Sequence, residues 1–162
     1  ICPKYFIIDF PDWVHAIPVT SNGDMVLLRQ YRHATRDVYW VVPGGSTDAH
    51  QTEHSLVAAQ RELREETGYT STHWHELSIQ YPNPALQSNS VRSFLAMDCE
   101  KTTEPHLDPY EDLEVELKPV KDVYEMLDRG EFTHSLMMSS LTLVIALAGR
   151  WRAVWRYRLA KN

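Results

Sequence analysis

Three glutamates near the middle of the chain could act together chemically: Glu62, Glu65 and Glu66, in the run Arg61-Glu62-Leu63-Arg64-Glu65-Glu66. On an α-helix, residues three and four apart share one face, so these carboxylates would lie within one turn. Like charges at that spacing repel each other and do not stabilise a helix. A magnesium site would account for them, because Mg²⁺ prefers carboxylate oxygens and shares its remaining positions with water and phosphates. The alternative is an exposed charged helix with i,i+4 ion pairs.

The surrounding residues predict the helix that would position these carboxylates. Leu56, Ala59 and Leu63 recur at helical spacing and form an apolar stripe that would anchor the helix to a core. Thr52 is a suitable N-cap residue, and Gly68 is a suitable C-terminal stop.

A longer pattern encloses the helix: Pro43-Gly44-Gly45, then Glu53, seven further residues, and Arg61-Glu62-Leu63-Arg64-Glu65-Glu66-Thr67-Gly68-Tyr69. It resembles the signature of the Nudix hydrolases: Gly, five residues, Glu, seven residues, then Arg-Glu-aliphatic-x-Glu-Glu-x-Gly-aliphatic. Everything from Glu53 onward is in register, with Tyr69 at the last, normally aliphatic, position. Seven residues rather than five separate Gly45 from Glu53, which indicates a two-residue insertion in a loop.

The resemblance implies an α+β protein with the Nudix fold, an α/β/α sandwich around a mixed β-sheet. Residues 1–162 would form a single Nudix hydrolase domain, with the signature at residues 45–69. The metal ligands implied are Glu62, Glu65, Glu66 and the backbone carbonyl of Gly44, with Mg²⁺ as the expected ion and Mn²⁺ as the alternative. Glu65 and Arg61 are also expected in the catalytic set, and a Glu53–Arg61 pair would tie the loop to the helix.

Upstream residues indicate the substrate. Gln30-Tyr31-Arg32 resembles the segment that precedes the signature in the ADP-ribose and nucleotide-sugar pyrophosphatase branch, and guanidinium groups suit bidentate phosphate contacts. Arg32 and Arg29 are therefore the expected diphosphate ligands. Pro84 stands fifteen residues beyond Tyr69, where that branch carries a proline. The branch usually has an acidic residue after the tryptophan, whereas Val41 follows Trp40 here.

A general base is expected in the polar loop Glu100–Asp112, because hydrolysis needs a carboxylate that can accept a proton from water. Glu111 is the predicted base, and Asp108, Asp112 and Glu114 are the alternatives. Relatives in the same branch often place a catalytic acidic residue just before the strand that would begin here near Leu113. The structural alternative is a solvated connection.

Outside the signature, aromatic and β-branched runs predict strands, and apolar residues at helical spacing predict helices. The predicted strands are Tyr5–Asp9, Trp13–Thr20, Met25–Arg29, His73–Tyr81, Val91–Asp98 and Leu113–Pro119. The predicted helices after the signature are Lys121–Arg129 and Leu136–Arg158.

Composition limits the class of protein. The 162 residues have 43% hydrophobic content and a formal net charge of −6, which argues against a general nucleic-acid binder. Cys2 and Cys99 form no CxxC motif, the longest apolar run is too short to span a bilayer, and no signal-peptide pattern is apparent. A cytoplasmic protein is expected. The interleaved arginines and aromatics of Arg150–Arg158 could stack on bases, but they fit a packed helix face or dimer contact better.

Taken with the resemblance, these features predict Mg²⁺-dependent hydrolysis of a nucleoside diphosphate derivative, with ADP-ribose giving AMP and ribose 5-phosphate. A hydrolase of GDP- or UDP-sugars would share the same features. Hydrolysis of nucleoside triphosphates or dinucleoside polyphosphates is less favoured by Gln30-Tyr31-Arg32 and Pro84. A non-catalytic Nudix domain that senses nucleotides is the alternative from another class. The resemblance also implies a homodimer.

Overall fold

The strand β1 (Trp13–Thr20) is the centre of the computed structural model, which describes residues 4–48 and 53–146. It is antiparallel to β2 (Asp24–Arg32) through Val19 and Met25, as the Ser21-Asn22-Gly23 turn between them predicts. Along the rest of its length β1 runs parallel to a distant strand of residues 91–101. One strand therefore joins two antiparallel halves of the sheet.

The remaining elements complete a mixed sheet between helices. The strands are β3 (Asp37–Val41), β4 (Gly44–Ser46), β5 (Tyr69–Thr70), β6 (His73–Gln80), β7 (Val91–Lys101) and β8 (Leu113–Pro119). The helices are α1 (Ser55–Thr67), α2 (Val120–Asp128) and α3, which is helical over residues 135–146. The strand order is β3-β2-β1-β7-β5, with β8 on β2, β6 on β7 and β4 on β1. Only β1 and β7 are parallel among the described pairs, so the predicted mixed sheet is confirmed.

Side chains alternate along β1 and give the sheet two apolar faces. Val14 and Ala16 lie on the face that α1 covers. Ile17 and Val19 lie on the opposite face, in the cluster that also contains buried side chains of α2 and α3. The buried apolar side chains of the helices are Ala58, Ala59 and Leu63 from α1, Val123 and Met126 from α2, and Met137, Leu141 and Val144 from α3. Helices on both faces confirm the predicted α/β/α sandwich and its α+β class.

Both ends of α1 are fixed by local contacts. His54 is the N-cap, and its Nδ1 accepts a hydrogen bond from the Leu56 N–H at 3.3 Å. The predicted cap, Thr52, lies outside the described residues, and α1 begins at Ser55. Gly68 ends the helix as predicted: its φ is 75°, its N–H donates to the Arg64 carbonyl at 2.8 Å, and an added Cβ would collide with the Thr103 carbonyl oxygen.

Several predicted elements differ in the structure. Residues Tyr5–Asp9 form no strand and make a single bridge, from Ile8 to Gln87. The short strands β3, β4 and β5 were not predicted. The predicted end of the last helix at Arg158, the segment Arg150–Arg158 and Cys2 all lie outside the described residues.

Two further findings concern the thiol of Cys99 and the possibility of a membrane-spanning helix. Cys99 is a free, buried thiol. No helix in residues 4–48 or 53–146 combines the length and apolar character needed to cross a membrane.

A buried polar network links β1, β7 and α3. His15 is 5% exposed, and its Nδ1 lies 2.9 Å from the Ser140 Oγ, which lies 3.0 Å from the Ser93 Oγ. Burial and, to a smaller extent, the positive charges of His134 and Arg32 together lower the pKa of His15 from 6.5 to about 4. His15 is therefore neutral in the folded protein near neutral pH.

This network predicts a pH dependence of stability. His15 becomes protonated near pH 6.5 in the unfolded chain but only near pH 4 in the folded chain. The contribution of neutral His15 to the free energy of unfolding is therefore complete above pH 6.5 and is lost as the pH falls toward 4. Between roughly pH 8 and pH 5 this costs about 2 kcal/mol of unfolding free energy. Urea denaturation of the wild type and His15→Gln at several pH values measures it. An equal loss in both proteins over this range would contradict the buried neutral histidine.

Candidate active site

One face of α1, the loop before β8 and the strands β2 and β4 enclose a cavity of about 700 Å³, which we call the acidic pocket. Its carboxylates are Asp48, Glu53, Glu62, Glu65, Glu66, Asp108 and Glu111. Its other lining residues are Gln30, Arg32, Gly44, Gly45, Ser46, Thr47, Arg61 and His106. Seven carboxylates thus face two guanidinium groups in one space.

Glu66 is the most deeply buried of these acids, with 3% of the residue exposed. The Gly44 N–H donates a hydrogen bond to its Oε2 at 2.8 Å, which joins α1 to β4. Burial raises the pKa of Glu66 well above its usual value, against the effect of that hydrogen bond, and the charges of Glu62 and Glu111 raise it further. A raised pKa of this kind means that too little positive charge surrounds the buried Glu66 carboxylate to stabilise its ionised form.

Glu62 lies one turn before Glu66 and approaches the backbone of β4. A Cβ on Gly45 would overlap the Glu62 carboxylate, so only glycine allows this approach. Burial raises the pKa of Glu62, and the Arg61 charge partly opposes that rise. Glu62 and Glu66 therefore line the same cavity, as the helical spacing predicts.

Arg61 connects the loop to the helix. Its Nε and Nη2 each lie 3.2 Å from an oxygen of Glu53, and Nη2 also donates to the Ser46 carbonyl at 3.1 Å. Its Nη1 donates to Glu62 at 2.9 Å and to Glu65 at 3.0 Å. The hydrogen bonds from Arg61 lower the pKa of Glu53. The predicted Glu53–Arg61 contact is thus present, and Arg61 also holds two of the three signature carboxylates.

The donor set fits a hard divalent cation. Mg²⁺ requires oxygen ligands. Burial raises the pKa values of Glu62 and Glu66, and a nearby cation would favour their ionised forms. Within residues 4–48 and 53–146, no three His, Cys, Asp or Glu side chains converge on one point. Glu62 and Glu65 instead both turn to the Arg61 Nη1. Their carboxylates would have to rotate within the acidic pocket to share an ion.

Arg32 lies where the acidic pocket meets a second cavity of about 580 Å³, which we call the side pocket. The Arg32 Nε is buried and has no hydrogen-bond partner in the described part of the chain. Burial lowers the pKa of Arg32, and the charges of Glu66 and Glu111 oppose that effect. Arg32 therefore has an unpaired donor and interacts electrostatically with Glu66 and Glu111.

The loop before β8 brings some of its acids to the acidic pocket and turns others away. Glu111 and Asp108 both line it, joined by a turn in which the Asp108 N–H donates to the Glu111 Oε2 at 3.0 Å. Asp112 is exposed, and its carbonyl accepts from the Tyr31 N–H. Glu114 is also exposed, in β8, and pairs in register with Arg29. Of the four base candidates, only Glu111 and Asp108 face the signature carboxylates.

Two predicted substrate ligands lie elsewhere in the described chain. Arg29 is exposed, and its guanidinium lies 5.7 Å from the centre of the Trp40 ring. The alternation of β2 puts Arg29 on the opposite face of the sheet from Gln30 and Arg32, which explains its absence from both pockets. Pro84 is exposed in the turn after β6, beside the segment in which the Tyr5 hydroxyl donates to the Ala85 carbonyl.

The structure also brings in residues that the sequence analysis did not select. Gln30 is 7% exposed and lines the acidic pocket, and its alternation with Arg32 on β2 was a usable signal. His106 lines it as well, because its N–H donates to the Glu65 carbonyl at 2.7 Å. His15 and His134 line the side pocket, and no local pattern marks either of them.

Comparison with known proteins identifies the family. The family model described as the NUDIX domain matches residues 10–140. The chain therefore belongs to the Nudix family, which confirms the resemblance of the signature.

Two bacterial relatives are both named as ADP-ribose pyrophosphatases. The sequence is 29% identical over 135 residues to the ADP-ribose pyrophosphatase of Mycobacterium tuberculosis (strain ATCC 25618 / H37Rv), covering 83% of this chain and 65% of that protein. It is 28% identical over 129 residues to the ADP-ribose pyrophosphatase of Bacillus subtilis (strain 168), covering 79% of this chain and 69% of that protein. A solved structure of an ADP compounds hydrolase superposes with a TM-score of 0.76 at 25% identity, covering 87% of this chain and 75% of that one. The chain spans slightly less than two thirds of the Mycobacterium relative.

Proposed function

We propose that this chain is a Mg²⁺-dependent Nudix pyrophosphohydrolase that hydrolyses the diphosphate linkage of ADP-ribose to AMP and ribose 5-phosphate. The observation that carries the proposal is the acidic pocket, in which Glu62, Glu65 and Glu66 face Glu111 with Arg32 at the rim. The names of the two bacterial relatives support ADP-ribose as the substrate.

The signature carboxylates are proposed as the metal site. Glu62 and Glu66, with Glu65 and the Gly44 carbonyl, would hold Mg²⁺, and Mn²⁺ is the alternative ion. The ion supplies charge neutralisation at the phosphoryl oxygens and a lowered pKa for water. Because burial raises the pKa values of Glu62 and Glu66, a cation bound there favours their ionised forms.

The two arginines of the acidic pocket are proposed to have different roles. The unpaired Nε of Arg32 points to contact with a phosphate oxygen of the diphosphate. Arg61 already has hydrogen bonds to Glu53, Glu62, Glu65 and the Ser46 carbonyl. It would act on catalysis by positioning Glu62 and Glu65.

Three competing functions remain to be separated from this one. A hydrolase of GDP- or UDP-sugars would use the same acidic pocket, and a nucleoside triphosphate or dinucleoside polyphosphate hydrolase would need it too. A nucleotide-sensing domain would not need its carboxylates. The retention of Glu62, Glu65 and Glu66 in one pocket favours an enzyme.

A substrate panel tests the proposal directly. The full chain is incubated with ADP-ribose, GDP- and UDP-sugars, nucleoside triphosphates and dinucleoside polyphosphates, with Mg²⁺ or with EDTA. Products are separated by ion-exchange chromatography. We expect AMP and ribose 5-phosphate from ADP-ribose with Mg²⁺ only. Faster turnover of another substrate would reassign the specificity, and no turnover of any would favour the sensor.

Glu66→Gln tests the metal site. We expect turnover to fall at least about a hundredfold, because the neutral amide cannot replace a metal-binding carboxylate but fits the same space. The variant should keep its circular dichroism spectrum and lose the rise in melting temperature that Mg²⁺ gives the wild type. Glu76→Gln, on the exposed ion pair with Arg92, is the matched control. Full turnover of Glu66→Gln at saturating Mg²⁺ would refute the metal assignment.

Glu111→Gln tests the general base. A base removed from a hydrolytic site lowers kcat by about 10²- to 10⁴-fold, whereas binding of substrate should change little. Asp108→Asn tests the second candidate, and exposed Asp112→Asn is the control. Steady-state kinetics with ADP-ribose and Mg²⁺ measure all three. A larger loss in Asp112→Asn than in Glu111→Gln would show that the base is misassigned.

A cytoplasmic homodimer is proposed as the state of the protein. Tyr5, Phe6 and Ile7 are 72%, 75% and 65% exposed in the single chain, an apolar surface that a second copy could cover. We expect sedimentation velocity to give a dimer, and Phe6→Glu to shift it toward monomer. A wild-type monomer at all concentrations tested would reject the dimer.

A further inference from the structure

The side pocket adjoins the acidic pocket. Arg32 and residues 44–46 line both cavities, so the two share one wall. If the diphosphate of a substrate lies at Arg32, one of the two groups that it links would lie next to the side pocket. At about 580 Å³, that pocket lies within the usual range of about 300–1,000 Å³ for small-molecule sites.

The walls of the side pocket differ chemically from those of the acidic pocket. Trp13 and Tyr39 supply aromatic surface, and Leu136 supplies aliphatic surface. No carboxylate of the described residues lines it. A nucleobase has apolar faces and polar edges, and so matches such walls. The pentose of ribose 5-phosphate carries hydroxyls on its surface and would leave the aromatic walls uncovered.

The side chain of His134 has an unpaired ring nitrogen. Its Nδ1 is buried and has no hydrogen-bond partner elsewhere in residues 4–48 and 53–146. The ring meets Tyr39 edge to face, with centroids 6.3 Å apart and an interplanar angle of 88°. A buried nitrogen without a partner is unfavourable, and a ligand atom that bonds to it removes that cost. The ring therefore lies beside Tyr39 at the side pocket with its Nδ1 unpaired, and the ring must turn toward the pocket to bond a ligand.

We propose that the side pocket binds the nucleobase of the substrate, and that His134 hydrogen-bonds to the edge of that base and so determines nucleoside specificity. The inference rests on the proposed function, because the diphosphate must lie at Arg32 for the base to enter here. His15 is already engaged by the Ser140 Oγ at 2.9 Å, so among the two histidines of this pocket His134 is the available one.

Binding of the two halves of ADP-ribose tests the inference without turnover. AMP and ribose 5-phosphate both carry a phosphate, but only AMP has a base. Isothermal titration calorimetry of the full chain with each compound, in Mg²⁺ and in EDTA, should show AMP binding about tenfold or more tightly, since a stacked base contributes that much. His134→Ala should weaken AMP binding about three- to tenfold and leave ribose 5-phosphate unchanged.

Two further variants separate a local effect from a general one. His33→Ala is the matched control, because His33 is exposed, next to Arg32 and outside both pockets. It should bind AMP as the wild type does. Ala34→Trp places a large ring at the exposed rim of the side pocket and should weaken AMP binding without removing any polar group. Thermal melts check that each variant is folded.

The results distinguish this inference from the proposed function. Equal affinities for AMP and ribose 5-phosphate, or AMP binding that is the same in wild type, His134→Ala and Ala34→Trp, would overturn the inference even if ADP-ribose is hydrolysed. His134-dependent AMP binding without hydrolysis of ADP-ribose would support the side pocket and refute ADP-ribose as the substrate. In an active enzyme, His134→Ala should also reduce the ratio of kcat/KM for ADP-ribose over that for a GDP-sugar.

Discussion

The fold places two carboxylates where contact with water is restricted: Glu66 is 3% exposed, and the Glu62 side chain is 12% exposed. Burial of an acid without a full counter-charge raises its pKa and costs stability. The Gly44 N–H and the Arg61 guanidinium reduce that cost through single hydrogen bonds of 2.8 and 2.9 Å. An apolar pair at these positions would give a more stable fold. The unfavourable burial of these acids supports the proposal that they bind a cation.

The strand β1 connects this local arrangement to the whole fold. Its Val14 and Ala16 side chains pack under α1 and fix the height of the helix above the sheet. On the other face, His15 reaches Ser140 of α3. β4 pairs with the same strand, with Gly44 opposite His15 and Gly45 opposite Val14. The register of one strand thus sets the positions of the carboxylates, the glycines beside them and the helix that closes the side pocket.

The sequence predicts the parts of the site that depend on local periodicity. The spacing of Glu62 and Glu66 and the stop at Gly68 follow from helix geometry, and the molecule places them accordingly. Alternation on a strand also separates Arg29 from Arg32, since residues an odd number of positions apart point to opposite faces of a sheet. The short strands β3, β4 and β5 escape prediction because two to five residues carry too little periodicity to detect.

The parts that the sequence leaves undetermined depend on tertiary contacts. Glu111 and Asp112 are adjacent acids in one loop, and the turn to Asp108 directs the first inward. His134 becomes part of a pocket only because α3 packs near β1 and Tyr39, more than 90 residues away in the chain. The buried Nε of Arg32 is likewise a property of its surroundings. No pattern of residue types specifies these contacts, since each joins distant segments through the packed core.

The two pockets differ in charge, and this difference suggests how they would divide the binding of a substrate. Seven carboxylates around two guanidinium groups would repel a diphosphate, and the net charge of −6 gives no attraction from the protein as a whole. A divalent cation in the acidic pocket would reduce the local negative charge and bind phosphate oxygens directly, an attraction that Arg32 alone cannot supply. No carboxylate of the described residues lines the side pocket, so the proposed contacts to a neutral base would not involve the cation directly. Metal would then control how tightly the phosphates are held, whereas the base would be selected by contacts that do not depend on it.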